Sequence, residues 1–189
     1  MNTLKKNAHL FKRPIVSEIA ELKHDPYMVL VSCVLSLRTK DETTDKAALR
    51  LFKLAKTPEQ MMKLSEDQIA NAIYPVGFYK TKAKNIKEVS RVLIDTYDSK
   101  VPDDFEELLK LKGVGKKTAA ITMVYGHHKA DFIPVDSHVH IISNRLGWVK
   151  TTTPEQTMDR LMDIVPKKYW YDLNDLFVQF GQNIRKRPW

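Results

Sequence analysis

Two glycines and two lysines stand within five positions of the chain, and these residue types can bind an anion and attack an electrophile. The stretch is LKLKGVGKKTAAI, residues 109–121, in which Gly113 and Gly115 precede Lys116 and Lys117. A glycine turn lets backbone N–H groups approach an anion at the positive end of the following helix. A lysine amine can also form a Schiff base. The spacing predicts an anion-binding turn beside a nucleophile, and a plain joint between two helices is the alternative.

The later segment PVDSHVH contains a carboxylate at the predicted start of a helix. Asp136 follows Pro134 and Val135 and precedes an apolar helix pattern, so we expect it to cap that helix. An ionised carboxylate can in general take a proton and stabilise a neighbouring cation. The alternatives are a capping role alone for Asp136 and a phosphate contact for Lys117. His138 follows on the same helix, where we expect a supporting hydrogen bond.

The overall charge favours a polyanionic partner. The chain has 189 residues with 31 Lys and Arg against 23 Asp and Glu, for a formal net charge of +8. This balance is typical of proteins that bind nucleic acid, although a generic basic protein is an alternative. Hydrophobic residues make 43% of the chain and charged residues 29%, which are values of a globular protein.

The sequence gives little indication of a metal site or of a membrane-spanning segment. Cys33 is the only cysteine, which excludes a disulfide framework and any zinc or iron–sulfur site built from cysteines of this chain. It lies in the apolar run MVLVSCVLSL, so we expect a buried, inert thiol. His127 and His128 are adjacent and point apart, which disfavours a metal site. No run of 18 apolar residues occurs, and the N-terminal residues lack a signal-peptide pattern, so we expect a cytoplasmic protein.

The hydrophobic pattern predicts an all-α fold. Apolar residues recur at spacings of three and four nearly throughout, and prolines or capping residues separate about ten helices, the first beginning at Pro14. DPYMVLVSCVLSLRT is apolar almost all round, which predicts a helix through the core. Around GVG the pattern predicts a helix-hairpin-helix at about 106–125, with Val114 filling the gap between its two helices.

Four segments in register resemble one family. LKGVGKKTA, with PVDSHVHIISNRLG some twenty residues later, resembles the helix-hairpin-helix (HhH-GPD) DNA glycosylases, specifically their endonuclease III branch. VLSLRTKDE, PVGFYKTKAKNI and FGQNI resemble further family segments, in the family's order. The resemblance extends from about residue 12 to residue 184.

This resemblance implies two helical lobes with a DNA cleft between them. A central barrel would span residues 20–129, and residues 1–19 with 130–189 would form the second lobe. In the family the second hairpin lysine is the nucleophile and the aspartate assists it, which implies Lys117 and Asp136 here. The residues implied to contact DNA are Gly113, Val114, Gly115, Lys116, Thr118, Arg38, Phe78, Lys82 and His138. Arg38 and Phe78 would fill the gap left by an extruded base; a solvated charge and a core aromatic are the alternatives.

The implied function is base excision repair of duplex DNA by a monomer. The reaction would be removal of an oxidised pyrimidine, followed by strand cleavage at the abasic (AP) site by β-elimination. The alternatives are a glycosylase for mismatched uracil or thymine or for 8-oxoguanine, and a non-catalytic DNA-binding module.

The sequence departs from the family in two places. Most endonuclease III relatives end in a four-cysteine loop that binds a [4Fe–4S] cluster. Its first cysteine would fall at Arg185, and the sequence reaches Trp189 without the other three, so we expect no iron–sulfur cluster. Lys112 replaces the first proline of the family's hairpin, a change that we expect to be tolerated.

Overall fold

The structure is a computed structural model, and it describes Lys6 and residues 25–184. These residues form ten α-helices and no strand, which confirms the predicted all-α class. The helices are α1 (Pro26–Ser36), α2 (Asp41–Leu54), α3 (Pro58–Lys63), α4 (Glu66–Ile73), α5 (Tyr79–Tyr97), α6 (Phe105–Lys110), α7 (Lys116–Ile121), α8 (Ser137–Arg145), α9 (Pro154–Ile164) and α10 (Trp170–Ile184). The helix predicted from Pro14, and the segment with Arg185 and Trp189, lie outside the described residues.

Capping residues begin the helices where the sequence predicts them. Asp25 precedes Pro26, and its carboxylate accepts hydrogen bonds from the first two free backbone N–H groups of α1, at 2.9 and 3.2 Å. Thr57 and Thr153, each followed by proline in the repeated TPEQ segment, cap α3 and α9. Ser65 forms a capping box at the start of α4. Such caps satisfy donors that a helix start leaves unpaired, so the boundaries are set locally.

The apolar helix α1 runs through the core, as its all-round hydrophobicity predicts. Every residue from Tyr27 to Leu35 is buried, and α2, α5 and α7 pack against the helix. Cys33 is 2% exposed, and burial raises the pKa of its thiol to about 12. This environment agrees with an inert thiol.

The C-terminal helices are joined to the same core. α10 packs on α8, and Leu173 and Phe177 of α10 are fully buried in the cluster that also holds Leu30 of α1. Trp170 and Phe180 pack against it from partly buried positions. The lobes proposed from the resemblance therefore share one continuous hydrophobic cluster.

The helix after the glycine turn differs from its predicted form. The sequence pattern predicts one α-helix through KKTAAITMVYGHH, whereas α7 ends at Ile121 and a π-helical turn, Thr122–Gly126, follows. The His127 N–H donates to the Thr122 carbonyl at 3.1 Å. Gly126 lies against Pro26, where a Cβ would come within 3.0 Å of its backbone. Glycine at this position allows the close approach of the π turn to the start of α1.

No helix among residues 25–184 combines the length and apolar character needed to cross a membrane.

Candidate active site and DNA interface

The glycine turn forms the predicted hairpin between α6 and α7. Gly113 has φ +81°, in the left-handed region that favours glycine, and Gly115 is the N-cap of α7. The Val114 N–H donates to the Leu111 carbonyl at 3.1 Å, which closes the turn. Gly115 has no side chain to cap α7, so the first backbone N–H groups of that helix have no side-chain acceptor from the N-cap.

The side chains of two hairpin residues point inward. Val114 is 8% exposed and fills the predicted gap in the core, while Thr118 is 2% exposed. These two residues can therefore meet an external ligand only through their backbone atoms. Lys116 is exposed, and Lys117 behind it is half-buried.

Lys117 and Asp136 lie together, each at the N-terminal end of its helix. Lys117 is in the first turn of α7, and Asp136 caps α8 by accepting from the Val139 N–H at 2.9 Å. Both residues line two cavities, of about 260 and 280 Å³. Within residues 25–184 no ion pair of 4.0 Å or less joins their side chains. The lysine therefore faces open cavity space instead of a fixed carboxylate partner.

The first of these cavities lies between the hairpin and the start of α9. Pro154, Glu155 and Met158 of α9 form its far wall. The second cavity lies between the hairpin, the turn after α1, and α10. Its walls include Arg38, Thr39, Asp41, His138, Asn174 and Gln182.

Three polar residues that line the second cavity, Asp41, Asn174 and Gln182, were not predicted as site residues from the sequence. The Gln182 amide donates to the Asp41 carboxylate at 2.7 Å, which joins α10 to α2 across the cavity wall. The Asn174 amide donates to the Pro134 carbonyl at 3.0 Å and so holds the segment that precedes Asp136. The FGQNI segment could have indicated Gln182 and the VLSLRTKDE segment Asp41, whereas no local signal marks Asn174.

Arg38 lines the second cavity and Phe78 lies beside Arg38; we call this edge of the cavity its mouth. Both have left-handed backbone conformations, with φ of +52° and +57°. Phe78 is 64% exposed, which excludes the core-aromatic alternative. The Arg38 guanidinium carbon lies 5.9 Å from the centre of the Phe78 ring, within cation–π range. The structure thus brings together the two residues predicted to fill a gap in DNA, although they are 40 positions apart in sequence.

Lys82, which the resemblance implies to contact DNA, is buried in the structure. Its side chain is 5% exposed, and its ammonium donates to the carbonyls of Leu35 and Leu37 and to the hydroxyl of Thr39, at 2.8, 2.5 and 3.1 Å. Burial lowers the pKa of Lys82 to about 8. Its neighbours Lys80 and Lys84, by contrast, are exposed on α5.

His138 is half-buried and lines the second cavity. Its Nδ1 is buried without a hydrogen-bond partner in the described part of the chain, so the supporting hydrogen bond remains a prediction. The ring lies directly against Gly181 of α10, where a Cβ would fall 2.2 Å from Nδ1. His140 bonds instead to Thr157, at 2.6 Å. Residues 25–184 contain no group of three or more His, Cys, Asp or Glu side chains placed to hold a metal.

An all-α fold with a glycine hairpin, and a lysine and a carboxylate in one cleft, defines a class of DNA-processing enzymes. The sequence matches the HhH-GPD superfamily of base excision DNA repair proteins over residues 31–167. The chain therefore belongs to that superfamily.

Named relatives narrow the class to endonuclease III. The chain is 48% identical to the endonuclease III of Thermotoga maritima over 162 residues, which cover 86% of this chain and 76% of the relative. It is 42% identical to endonuclease III-like protein 1 of Gallus gallus, over 82% of this chain and 56% of that longer protein.

A solved structure agrees with these relatives. A non-covalent endonuclease III–DNA complex superposes with a TM-score of 0.80 at 33% identity, over 84% of this chain and 74% of that one. The chain is thus an endonuclease III-like enzyme of base excision repair, a DNA glycosylase and AP lyase that binds damaged duplex DNA.

Proposed function

We propose that Lys117 is the nucleophile of this enzyme and that Asp136 assists it. The observation that carries this assignment is their common position: both side chains line the same two cavities from the N-terminal ends of α7 and α8. One carboxylate oxygen of Asp136, Oδ1, accepts the hydrogen bond that caps α8. The other oxygen is available to a proton or a cation in the cavity.

The reaction begins with proton transfer from the Lys117 ammonium to Asp136, since only the neutral amine is nucleophilic. Its nitrogen then bonds to C1′ of the damaged nucleotide, and the C1′–N bond to the base breaks. The departing base takes the electron pair of that bond and then a proton. That proton comes from Asp136, and the carboxylate, ionised again, stabilises the positively charged nitrogen now bonded to C1′.

Strand cleavage uses the same lysine. Opening of the sugar ring gives a Schiff base between the Lys117 nitrogen and C1′. This imine acidifies the C2′ hydrogens, so loss of a C2′ proton expels the 3′-phosphate by β-elimination. Water then hydrolyses the imine and returns the free amine.

The glycine hairpin holds the backbone of the DNA in this proposal. The N–H groups at the start of α7 have no side-chain acceptor from the N-cap and lie next to the exposed Lys116, which suits a phosphate. Arg38 and Phe78, which are joined at the cavity mouth, occupy the gap that an extruded base leaves in the stack. Phe78 supplies an apolar surface, and Arg38 supplies donors for the orphaned partner base.

Replacement of each hairpin glycine by alanine separates folding from DNA binding. Gly115→Ala places a methyl group in open space at an ordinary φ of −104°, so we expect unfolding free energy to change by less than about 0.5 kcal/mol. Binding should nevertheless weaken several-fold on all duplexes, because the methyl group stands between the turn and a phosphate. Urea unfolding and fluorescence anisotropy measure the two effects.

Gly113→Ala is the matched comparison. Its positive φ and the Asn85 side-chain nitrogen, 2.8 Å from the added Cβ, predict a loss of about 2 kcal/mol in stability. A defect of Gly115→Ala on a single lesion, with other duplexes bound normally, would contradict the clamp role.

The substrate class that we propose is duplex DNA with an oxidised pyrimidine, as the resemblance to the endonuclease III branch implies. A panel of duplexes, each with one defined lesion, distinguishes this from mismatched uracil or thymine and from 8-oxoguanine.

We further propose that residues 20–129 form one lobe and residues 1–19 with 130–189 the other, with the DNA cleft at the Lys117–Asp136 site. We also propose that the enzyme is cytoplasmic and associated with chromosomal DNA.

We also propose that the enzyme works without an iron–sulfur cluster. The residues present do not fit such a group, because the chain has one cysteine and its thiol is buried inside α1. Absence of iron and of visible absorption in protein purified without oxygen is the expected result.

Borohydride reduction on an abasic duplex tests the proposed reaction directly. A Schiff base is reduced to a stable amine, so the wild-type protein should become covalently attached to the DNA. Peptide mapping of the adduct should then identify Lys117. Duplex binding without any adduct would favour a non-catalytic DNA-binding module, and attachment at another lysine would overturn the assignment.

A further inference from the structure

A buried ammonium group lies beneath the turn that carries Arg38. Lys82 extends from α5 to the C-terminal end of α1, where it meets the carbonyls of Leu35 and Leu37. Carbonyls at a helix end lack intrahelical partners and carry partial negative charge. The ammonium therefore satisfies groups that the turn after α1 leaves unpaired, and it adds a third bond to the Thr39 hydroxyl.

The same hydroxyl joins this turn to the loop that carries Phe78. The Gly77 N–H donates to Thr39 Oγ1 at 3.2 Å. A Cβ at Gly77 would come within 2.8 Å of the Arg38 carbonyl, so the two backbones are in close contact. Residues 35–39 and 76–78 thus form one unit, here called the double loop. Arg38 and Phe78 occupy its two tips.

A lysine at position 82 lowers the stability of the fold relative to an apolar residue of similar size. Lys82 is 5% exposed, its ammonium donates to two carbonyls and one hydroxyl, and burial lowers its pKa to about 8. Burial of a charge without a paired carboxylate disfavours folding relative to an apolar residue of similar size. The gain is geometric, because three directed bonds fix a turn whose central residue, Arg38, has φ +52°.

We propose that Lys82 is a positioning residue for base extrusion: it fixes the double loop and so holds Arg38 and Phe78 together at the cavity mouth. This inference rests on the proposed role of Arg38 and Phe78 in filling the gap in DNA. None of the recorded bonds of Lys82 involves Lys117 or Asp136, so its loss should affect extrusion more than the chemical step.

The test compares a paired lesion with an abasic site. Lys82→Met keeps the length of the side chain and removes its donors. We expect excision of a paired damaged pyrimidine to fall about tenfold or more, since the base must be unstacked and unpaired before it can be excised. Borohydride trapping on an abasic duplex, where no base pair must be broken, should change less than about threefold by the same argument.

A mutant cycle distinguishes positioning from general destabilisation. If Lys82 acts through Arg38, then Lys82→Met should slow excision strongly in the wild type and little in an Arg38→Ala background. Ser90→Ala is the matched control on α5, because Ser90 is fully buried and bonded to Ile86 and Tyr27, away from the double loop. It should lower stability and leave the ratio of excision to trapping unchanged.

Thr39→Val provides a second route if Lys82→Met does not fold. It removes the hydroxyl that links Lys82 to Gly77 and should lower the same ratio by a smaller factor. Suppose that the wild-type enzyme excises the lesion. If Lys82→Met then loses excision and trapping equally, or if the effects in the mutant cycle are purely additive, the positioning role is overturned and the proposed function is not. Absence of both activities in the wild type would instead overturn the proposed function.

Discussion

Lys117→Gln should abolish covalent trapping on an abasic duplex and lower strand cleavage by at least about a thousandfold, because an amide nitrogen cannot form a Schiff base. Glutamine keeps much of the shape of the side chain in the half-buried position between the two cavities. The fold and the hairpin backbone should therefore be preserved. Duplex affinity, measured by fluorescence anisotropy, should remain within a few-fold of the wild type, since only one charge is removed.

Lys116→Gln is the matched control, because the two lysines are adjacent and differ in exposure. It should weaken binding to every duplex and reduce the dependence of affinity on salt by about one phosphate contact. Trapping at saturating protein should be retained. Persistent trapping in Lys117→Gln, or its loss in Lys116→Gln at saturation, would contradict the division of roles between these two residues.

The parts of the fold that local chemistry sets were predictable from the sequence. Caps such as Asp25 and Ser65 begin their helices because one side chain satisfies N–H groups two or three residues away. The glycine turn is equally local, since Gly113 requires a positive φ. The place of α1 in the core followed from its all-round hydrophobicity, which leaves no face suited to water.

The buried position of Lys82 was not predicted, because the lysine side chain was given more weight than its position in the helical repeat of α5. On α5 the residues at positions 82, 86, 89, 90 and 93 are all buried, which is one stripe at spacings of three and four. Lys82 belongs to that stripe, whereas Lys80 and Lys84 lie off it. The periodicity could have indicated a buried lysine, but its carbonyl partners belong to α1 and the following turn, 43 or more positions earlier.

The remaining site residues depend on packing between distant helices. Asp41 and Gln182 meet across 141 positions, and Asn174 reaches Pro134 across 40. No local pattern specifies such pairs, because they follow from how α10 packs against α2 and α8. The same holds for the contact between His138 and Gly181, which decides how closely α8 and α10 approach.

Gly181→Ala is expected to be among the most damaging small substitutions in the chain. The added Cβ would fall 2.2 Å from His138 Nδ1 and 2.9 Å from Cγ, so the imidazole ring must move. The ring has little free space, because Gly181 is buried and α8 packs directly on α10. We expect a loss of about 3 kcal/mol in unfolding free energy, the cost of overpacking a core. Urea unfolding measures it.

Gly181→Ala should also lower the rate of covalent trapping. His138 lies two residues after Asp136, so displacement of the ring shifts the start of α8, where Asp136 lines both cavities. Gly147→Ala is the control, because Gly147 has nothing within 4 Å of an added Cβ and bears only the strain of φ +68°. It should lose about 1 kcal/mol and retain full trapping.

A second substitution shows whether the collision causes the damage. His138→Ala removes the ring, so the double variant with Gly181→Ala should be at least about 1 kcal/mol more stable than the sum of the two single losses predicts. Strict additivity would mean that Gly181 acts through backbone freedom and not through space for His138. Coupling of the expected sign would show that a glycine on α10 provides the space for the His138 ring of α8.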